Sequence, residues 1–242
     1  MNIHYDTSGN AFRAVIIARD ITAEKKLEIE KENKQKIAAL QNKLLLHFYG
    51  AHANSTFEEK INDITKLAAQ GLEIDRASYW EMDKDCMRCI NRFDKNTNVN
   101  YTNTFLSNKD IPKYITALNN QIAIVADDVY TNDSTLELVE NYLKPNGITD
   151  TLDVPIRVNG KFYGVLCCEH RDAPRVWNEN DISFARSLAD YLSIAIEQEK
   201  RILAELELSE NQKKLEFISE NTSDGIIIIE NSKITYVSNA FS

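Results

Sequence analysis

An α+β fold is predicted for this chain by three observations. Residues 162–168 form a short apolar run entered through Asn159-Gly160, a pair that favours a tight turn, so they read as the second strand of a hairpin. Trp177 then precedes Asn178, a good N-cap, and Phe184, Ala185, Leu188, Leu192, Ala195 and Ile196 recur at helical spacing. Elsewhere, alternating stretches of strand character are separated by polar turns and by further amphipathic helices.

The elements follow in order. Residues 1–19 read as a hairpin about Ser8-Gly9-Asn10, with Val15, Ile16, Ile17 and Ala18 in its second strand; two strands alone bury no core. Residues 23–46 are dense in Glu, Lys and Gln and lack Gly and Pro, which predicts a solvated helix capped by Thr22, with Asp20 holding the turn. Leu27, Ile37 and Leu44 share a heptad stripe that Glu30, Lys34 and Gln41 interrupt, giving a weak seam for a parallel dimer. Asn54 or Ser55 caps the next helix, whose apolar face is Phe57, Ile61, Ile64, Leu67, Ala68 and Leu72. A hairpin of residues 75–82 and 86–93 turns at Asp83-Lys84-Asp85, and residues 94–103 read as a loop.

Asp110 caps a short helix that carries Pro112 in its first turn and runs to about Leu118, followed by a buried strand at 122–126. After polar residues 127–134, Leu136, Leu138, Val139, Tyr142 and Leu143 read as a helix stopped by Pro145 and Gly147. Residues 149–158 pair with the strand that opens at Lys161. The long helix does not end at Gln198: residues 199–214 contain no breaker, and Ile202, Leu206 and Ser209 stay in phase with Leu188, Leu192 and Ala195. A last hairpin, residues 225–230 and 233–238, turns at Asn231-Ser232.

Composition bounds the function. A hydrophobic content of 43% supports a real core, and a net charge of −9 argues against a nucleic-acid groove or an anionic membrane surface as partner. No run reaches the 18 or so apolar residues of a membrane span, and Met1 to Asp6 lack signal-peptide features, so the expectation is a cytoplasmic chain without direct membrane contact, its parent protein anchored elsewhere if at all. Cys86 and Cys89 stand three apart in a strand, and Cys167 and Cys168 are adjacent; each pair diverges to opposite faces, which favours buried thiols over a metal site. With 7 glycines in the chain, neither G-x-x-x-x-G-K nor G-x-G-x-x-G occurs, and Asp127-Asp128 read as loop residues rather than a general acid and base. These readings assign neither catalytic nor metal residues.

The run Gly164-Val165-Leu166-Cys167-Cys168-Glu169-His170, with Trp177 and Ala185 to Glu197, resembles the end of a GAF domain, and residues 75–83 resemble its first strand. The resemblance implies an antiparallel sheet with helices on both faces, in a module that senses small molecules and dimerises. Tyr5-Asp6, Gly9-Asn10 and Arg19 to Lys26 resemble the closing strands of a PAS domain, and residues 217–241 resemble the opening of another. The implied order is a PAS hairpin at 1–22, a helical linker at 23–45, the GAF domain at 46–198, a signalling helix at 199–214, and a second PAS domain begun at 215 and cut short at Ser242.

Asp110-Ile111-Pro112 and residues 142–147 resemble bilin-binding GAF domains, yet Leu138 and Val139 stand where those carry a Cys-His pair, so a covalent bilin is not expected and the cofactor stays open. Asn91-Arg92-Phe93-Asp94 matches the cyclic-nucleotide pattern only superficially. The resemblance implies a pocket between the sheet and residues 106–143, with Tyr79, Phe105, Ile111, Tyr114, Asp127, Tyr130 and His170 as candidate lining. The expected function is sensing and relay in a multidomain signal-transduction protein, a sensor histidine kinase first and a diguanylate cyclase second. The expected partners are a second copy through the flanking helices, a small-molecule ligand and an output domain. The competing reading is a ligand-free dimerisation module, since 10 Tyr and 9 Phe suffice to fill a cavity.

Overall fold

A computed structural model describes residues 2–5, 7–8, 11–15, 19–49, 55–97, 99–101, 104–173, 175–221, 227–230 and 233–237. The chain divides into two compact units, residues 1–53 and 54–242. In the first, strands β1 (Asn2–Tyr5) and β2 (Ala11–Val15) pair antiparallel and helix α1 spans Thr22–Tyr49. Thr22 is the first helical residue and not the cap, and Asp20 holds the turn before it as expected, its Oδ1 accepting the Thr22 amide at 2.9 Å. Leu27 is exposed, whereas Ile16, Ile17 and Ala18 and the side chains of Ile37 and Leu44 lie outside the described residues.

The second unit opens with helix α2 (Phe57–Gly71). Its cap is Thr56, not Asn54 or Ser55: the Thr56 hydroxyl accepts the Glu59 amide at 3.3 Å and the Glu59 carboxylate accepts the Thr56 amide at 2.8 Å, a reciprocal capping box. Strands β3 (Arg76–Met82), β4 (Cys86–Asp94), β5 (Val99–Tyr101) and β6 (Phe105–Ser107) follow. The expected loop at 94–103 therefore contains a strand, because Val99 to Tyr101 can still pair with Arg92 to Asp94 across a tight turn.

Helix α3 (Pro112–Asn120) and strand β7 (Ile124–Ala126) lead to an irregular helical segment: a 3₁₀ turn (Leu136–Leu138), a π turn (Val139–Leu143) and a second 3₁₀ turn (Lys144–Asn146). The predicted regular helix is thus replaced, since Pro145 has no N–H for the carbonyl four residues back and the turns around it tighten and widen. Gly147 ends the segment at φ 67°. Strands β8 (Ile148–Val158) and β9 (Lys161–Arg171), helix α4 (Glu179–Asn221), and the hairpin β10 (Ile227–Glu230) and β11 (Lys233–Val237) complete the chain.

The sheet runs β5-β4-β3-β9-β8-β7, all antiparallel, with β6 also against β4. Its core-facing side under α2 and α4 buries Ile61, Ile64, Ala68, Phe184, Leu188 and Leu192. Asn178 caps α4 as expected, its Oδ1 accepting the amides of Asn180 at 2.9 Å and Asp181 at 3.2 Å. The opposite side is covered by α3 and the irregular turns. Between β3 and β9 the backbones come so close that a Cβ on Gly164 would lie 2.2 Å from the Trp80 carbonyl oxygen, so this register requires glycine.

Candidate ligand pocket

Successive strand residues face opposite sides, so the pocket side of the sheet is set by parity. On β3 it takes Arg76, Ser78 and Trp80; on β9, Val165, Cys167 and Glu169; on β8, Thr151 and Asp153. These meet Tyr114 of α3 and Leu138, Tyr142 and Leu143 of the irregular turns, enclosing a cavity of about 10 Å³ lined also by Met87 and Leu106. That is room for one water molecule.

Two buried polar groupings border the cavity. In the first, Arg76 Nε donates to Glu169 at 2.6 Å, its Nη1 to Asn146 Oδ1 at 2.9 Å and its Nη2 to the Tyr142 hydroxyl at 3.0 Å. Its guanidinium also stands 5.4 Å from the Tyr142 ring centroid. Burial works against the Arg76 charge, but Glu169 and Tyr142 outweigh it and hold the pKa above its ordinary value. In the second, Asp153 accepts from the Tyr114 hydroxyl at 2.8 Å and the Thr151 hydroxyl at 2.6 Å. Burial pushes its carboxyl up to about 7 against those two hydrogen bonds. Cys167 lies 3.7 Å from the Tyr114 hydroxyl, and burial raises its thiol well above the ordinary range, which makes it a poor nucleophile.

The cover is tied together and to the rest of the unit. Glu137 accepts the amides of Lys113 at 2.8 Å and Tyr114 at 3.2 Å, so it caps α3 in place of the expected Asp110. At the other end of α3, Arg157 of β8 donates to the carbonyls of Leu118 and Asn119, each at 2.9 Å. The Arg157 carbonyl in turn accepts from Ser193 of α4 at 2.6 Å.

Of the seven residues expected to line a pocket, Tyr114 lines the cavity and Ile111 packs in the same buried cluster. Tyr79 faces the helices on the other side, its hydroxyl donating to Glu81 at 2.7 Å. Phe105 is 72% exposed while its neighbour Leu106 lines the cavity. His170 likewise sits beside the lining Glu169; its Nδ1 is 2.8 Å from Asp75 Oδ2 but out of line for a hydrogen bond. Asp127 accepts the Trp177 amide at 2.9 Å, and the Tyr130 hydroxyl donates to the Ile148 carbonyl at 3.1 Å. The lining residues that the sequence did not single out are apolar and aromatic ones, Trp80, Met87, Leu106, Leu138, Tyr142 and Leu143, and strand residues that carry polar atoms, Thr151, Asp153, Cys167 and Glu169. Thr151 and Asp153 alternate with Leu152 and Val154, and that alternation was the available signal.

Cys89 and Cys167 are buried on the pocket side and Cys168 on the helix side, each as a free thiol. No helix among the described residues is long and apolar enough to cross a membrane.

Comparison with known proteins places this geometry. A 76-residue stretch is 33% identical to the circadian input-output histidine kinase CikA of Thermosynechococcus vestitus; it spans 31% of this chain and 10% of that protein. The fold is similar to a GAF domain from a cyanobacterial phytochrome solved with phycocyanobilin, with TM-score 0.56 and 16% identity over 67% of this chain and 94% of the other. It is also similar to the chromophore-binding domain of a Stigmatella aurantiaca bacteriophytochrome, with TM-score 0.54 and 13% identity over 66% of this chain and 59% of the other. Residues 56–196, more than half of the chain, match the GAF domain model, and the chain belongs to the GAF domain family.

Proposed function

We propose that this chain is a sensory and relay segment of a multidomain signal-transduction protein of the sensor histidine kinase type. Its GAF domain answers a small molecule by shifting the packing of the flanking helices in a homodimer. In this reading residues 1–22 and 215–242 belong to PAS domains, and the rods between them carry the signal to an output domain. The observation that carries the proposal is the chain of contacts from cover to rod: α3 is held by Arg157, and the same residue's carbonyl takes the hydroxyl of Ser193 on α4. A ligand that moves the cover therefore acts on the helix that leaves the domain, provided it binds the two packings unequally. The stretch resembling a histidine kinase supports the choice of parent.

The bilin held by the similar solved domain is not proposed as the ligand. Leu138 and Val139 occupy the positions of a Cys-His pair, and drug-sized ligands need roughly 300 Å³ or more, far above the present cavity. That small volume favours a second reading, a ligand-free dimerisation module filled by its own side chains. Native mass spectrometry of the purified chain, followed by a denaturing run, separates the two. A dimer that releases a small molecule on denaturation supports the sensor, a ligand-free dimer supports the structural module, and a ligand-free monomer overturns both.

A further inference from the structure

The cavity has a charge imbalance. Asp153 and Glu169 bring two carboxylates to its wall, both nearly inaccessible to water, and the Arg76 guanidinium, which does not line the cavity, is already engaged by Glu169. The donors around Asp153, the hydroxyls of Tyr114 and Thr151 and the Cys167 thiol, are all neutral. A buried carboxylate without a counter-cation is costly, and it is relieved by either a proton or a bound cation. The space beside it is about 10 Å³, the size of one water molecule, and therefore also of one ammonium group. Trp80 and Tyr142, which meet edge to face with ring centroids 5.4 Å apart, are part of the same wall.

We propose that this cavity is a receptor site for a primary ammonium group, as the free ammonium ion or the head of a small amine, with Asp153 as its counter-charge and the hydroxyls of Tyr114, Thr151 and Tyr142 as further acceptors. The proposal rests on the sensor reading above and names its ligand class. Free ammonium fits the cavity as it stands; an amine with a tail requires Leu106, Leu138 or Leu143 to move aside. Binding displaces a proton from Asp153, so it strengthens as pH rises through about 7. The other groups that face Asp153 do not supply the missing charge: Glu169 is an acid already paired with Arg76, and Tyr114 and Cys167 are held neutral by burial.

The test uses the full chain at pH 8 with ¹⁵N-ammonium chloride, against sodium chloride at matched ionic strength. The expected result is a slowly exchanging bound ¹⁵NH₄⁺ signal and a rise in Tm that grows with the logarithm of the ammonium concentration, roughly 3–5 °C at a tenfold excess over Kd. The rise shrinks at pH 6, is lost in Asp153→Asn and is kept in the surface control Asp85→Asn. Methylammonium that matches ammonium points to an amine head and a yielding cover; tetramethylammonium should do nothing. Equal Tm in the two salts with no bound ¹⁵NH₄⁺ signal overturns the proposal, as does a shift that survives Asp153→Asn. The ¹⁵NH₄⁺ measurement on the unmodified protein decides the matter even if that variant does not fold. An anion or neutral molecule released in the mass-spectrometric experiment sinks the ammonium class and leaves the sensor standing. A ligand-free dimer that also ignores ammonium sinks both.

Discussion

At the scale of single residues, the Arg76–Glu169 pair is the most exacting contact in the sheet, because both side chains are almost wholly inaccessible to water. Removing one charge strands the other, which costs about 3–5 kcal/mol, whereas replacing both by apolar groups of similar volume is often close to neutral. Arg76→Ala should therefore lower the urea unfolding free energy by about that amount, and Arg76→Met with Glu169→Leu should recover most of it. A double variant as weak as the single one would show that Asn146 and Tyr142, not charge balance, set the cost. Asp153 gives a pH signature of definite sign. Its folded pKa is raised to about 7 from an unfolded value near 3.8, so its contribution to stability is full below pH 4 and is lost as pH rises to 7. Three units set an upper bound of roughly 4 kcal/mol. The difference between wild type and Asp153→Asn in denaturant unfolding should change over this window and be flat above it; Asp150, raised to about 6, adds a slope of the same sign to both proteins. Strand parity also explains the legibility of the site. Tyr79, Phe105 and His170 are each one residue from a lining side chain, Trp80, Leu106 and Glu169. Alternation names the face only when one side of a strand is wet, and β3 is buried on both sides from Arg76 to Trp80.

Among the elements, the cover depends on one carboxylate. Glu137 sits in the 3₁₀ turn and accepts two amides at the start of α3, so it locks the helix that carries Tyr114 to the turns that carry Tyr142. Glu137→Ala removes that cap at a cost of about 1 kcal/mol. It should also raise amide hydrogen exchange at residues 113–116 while leaving β8 and β9 protected. Faster exchange spread evenly over the sheet would mean that the cover does not open as a separate unit. The strands and the long helices were legible because their periodicity extends over many residues, as from Phe184 to Ile196. The cover was not. Leu138, Tyr142 and Leu143 carry helical spacing, but the backbone between them changes from 3₁₀ to π and back around Pro145, and the cap of α3 comes from a residue 24 positions away from the amide it binds. A local pattern carries no trace of such a partner.

For the molecule as a whole, the decisive element is α4. Its 43 residues form one uninterrupted helix, roughly 65 Å long at 1.5 Å per residue. The first part buries Leu188, Leu192, Ala195 and Ile196 against the sheet, and the rest presents Ile202, Leu203, Leu206 and Phe217 with more than half of each exposed. The absence of a breaker after Gln198, which predicted a continuous rod, is matched by the unbroken helix, and the in-phase Ile202 and Leu206 form the seam that the proposed dimer would use. If that packing holds the dimer, charging the seam should break it without touching the domain. Ile202→Glu combined with Leu206→Glu should then sediment as a monomer where the wild type sediments as a dimer. Its near-ultraviolet circular dichroism and Tm should stay close to wild type, since neither residue is part of the buried core. A variant that remains dimeric would move the interface to another surface. A wild-type chain that is monomeric at the same concentration would deny the relay its partner, because rotation of a lone helix has nothing to turn against.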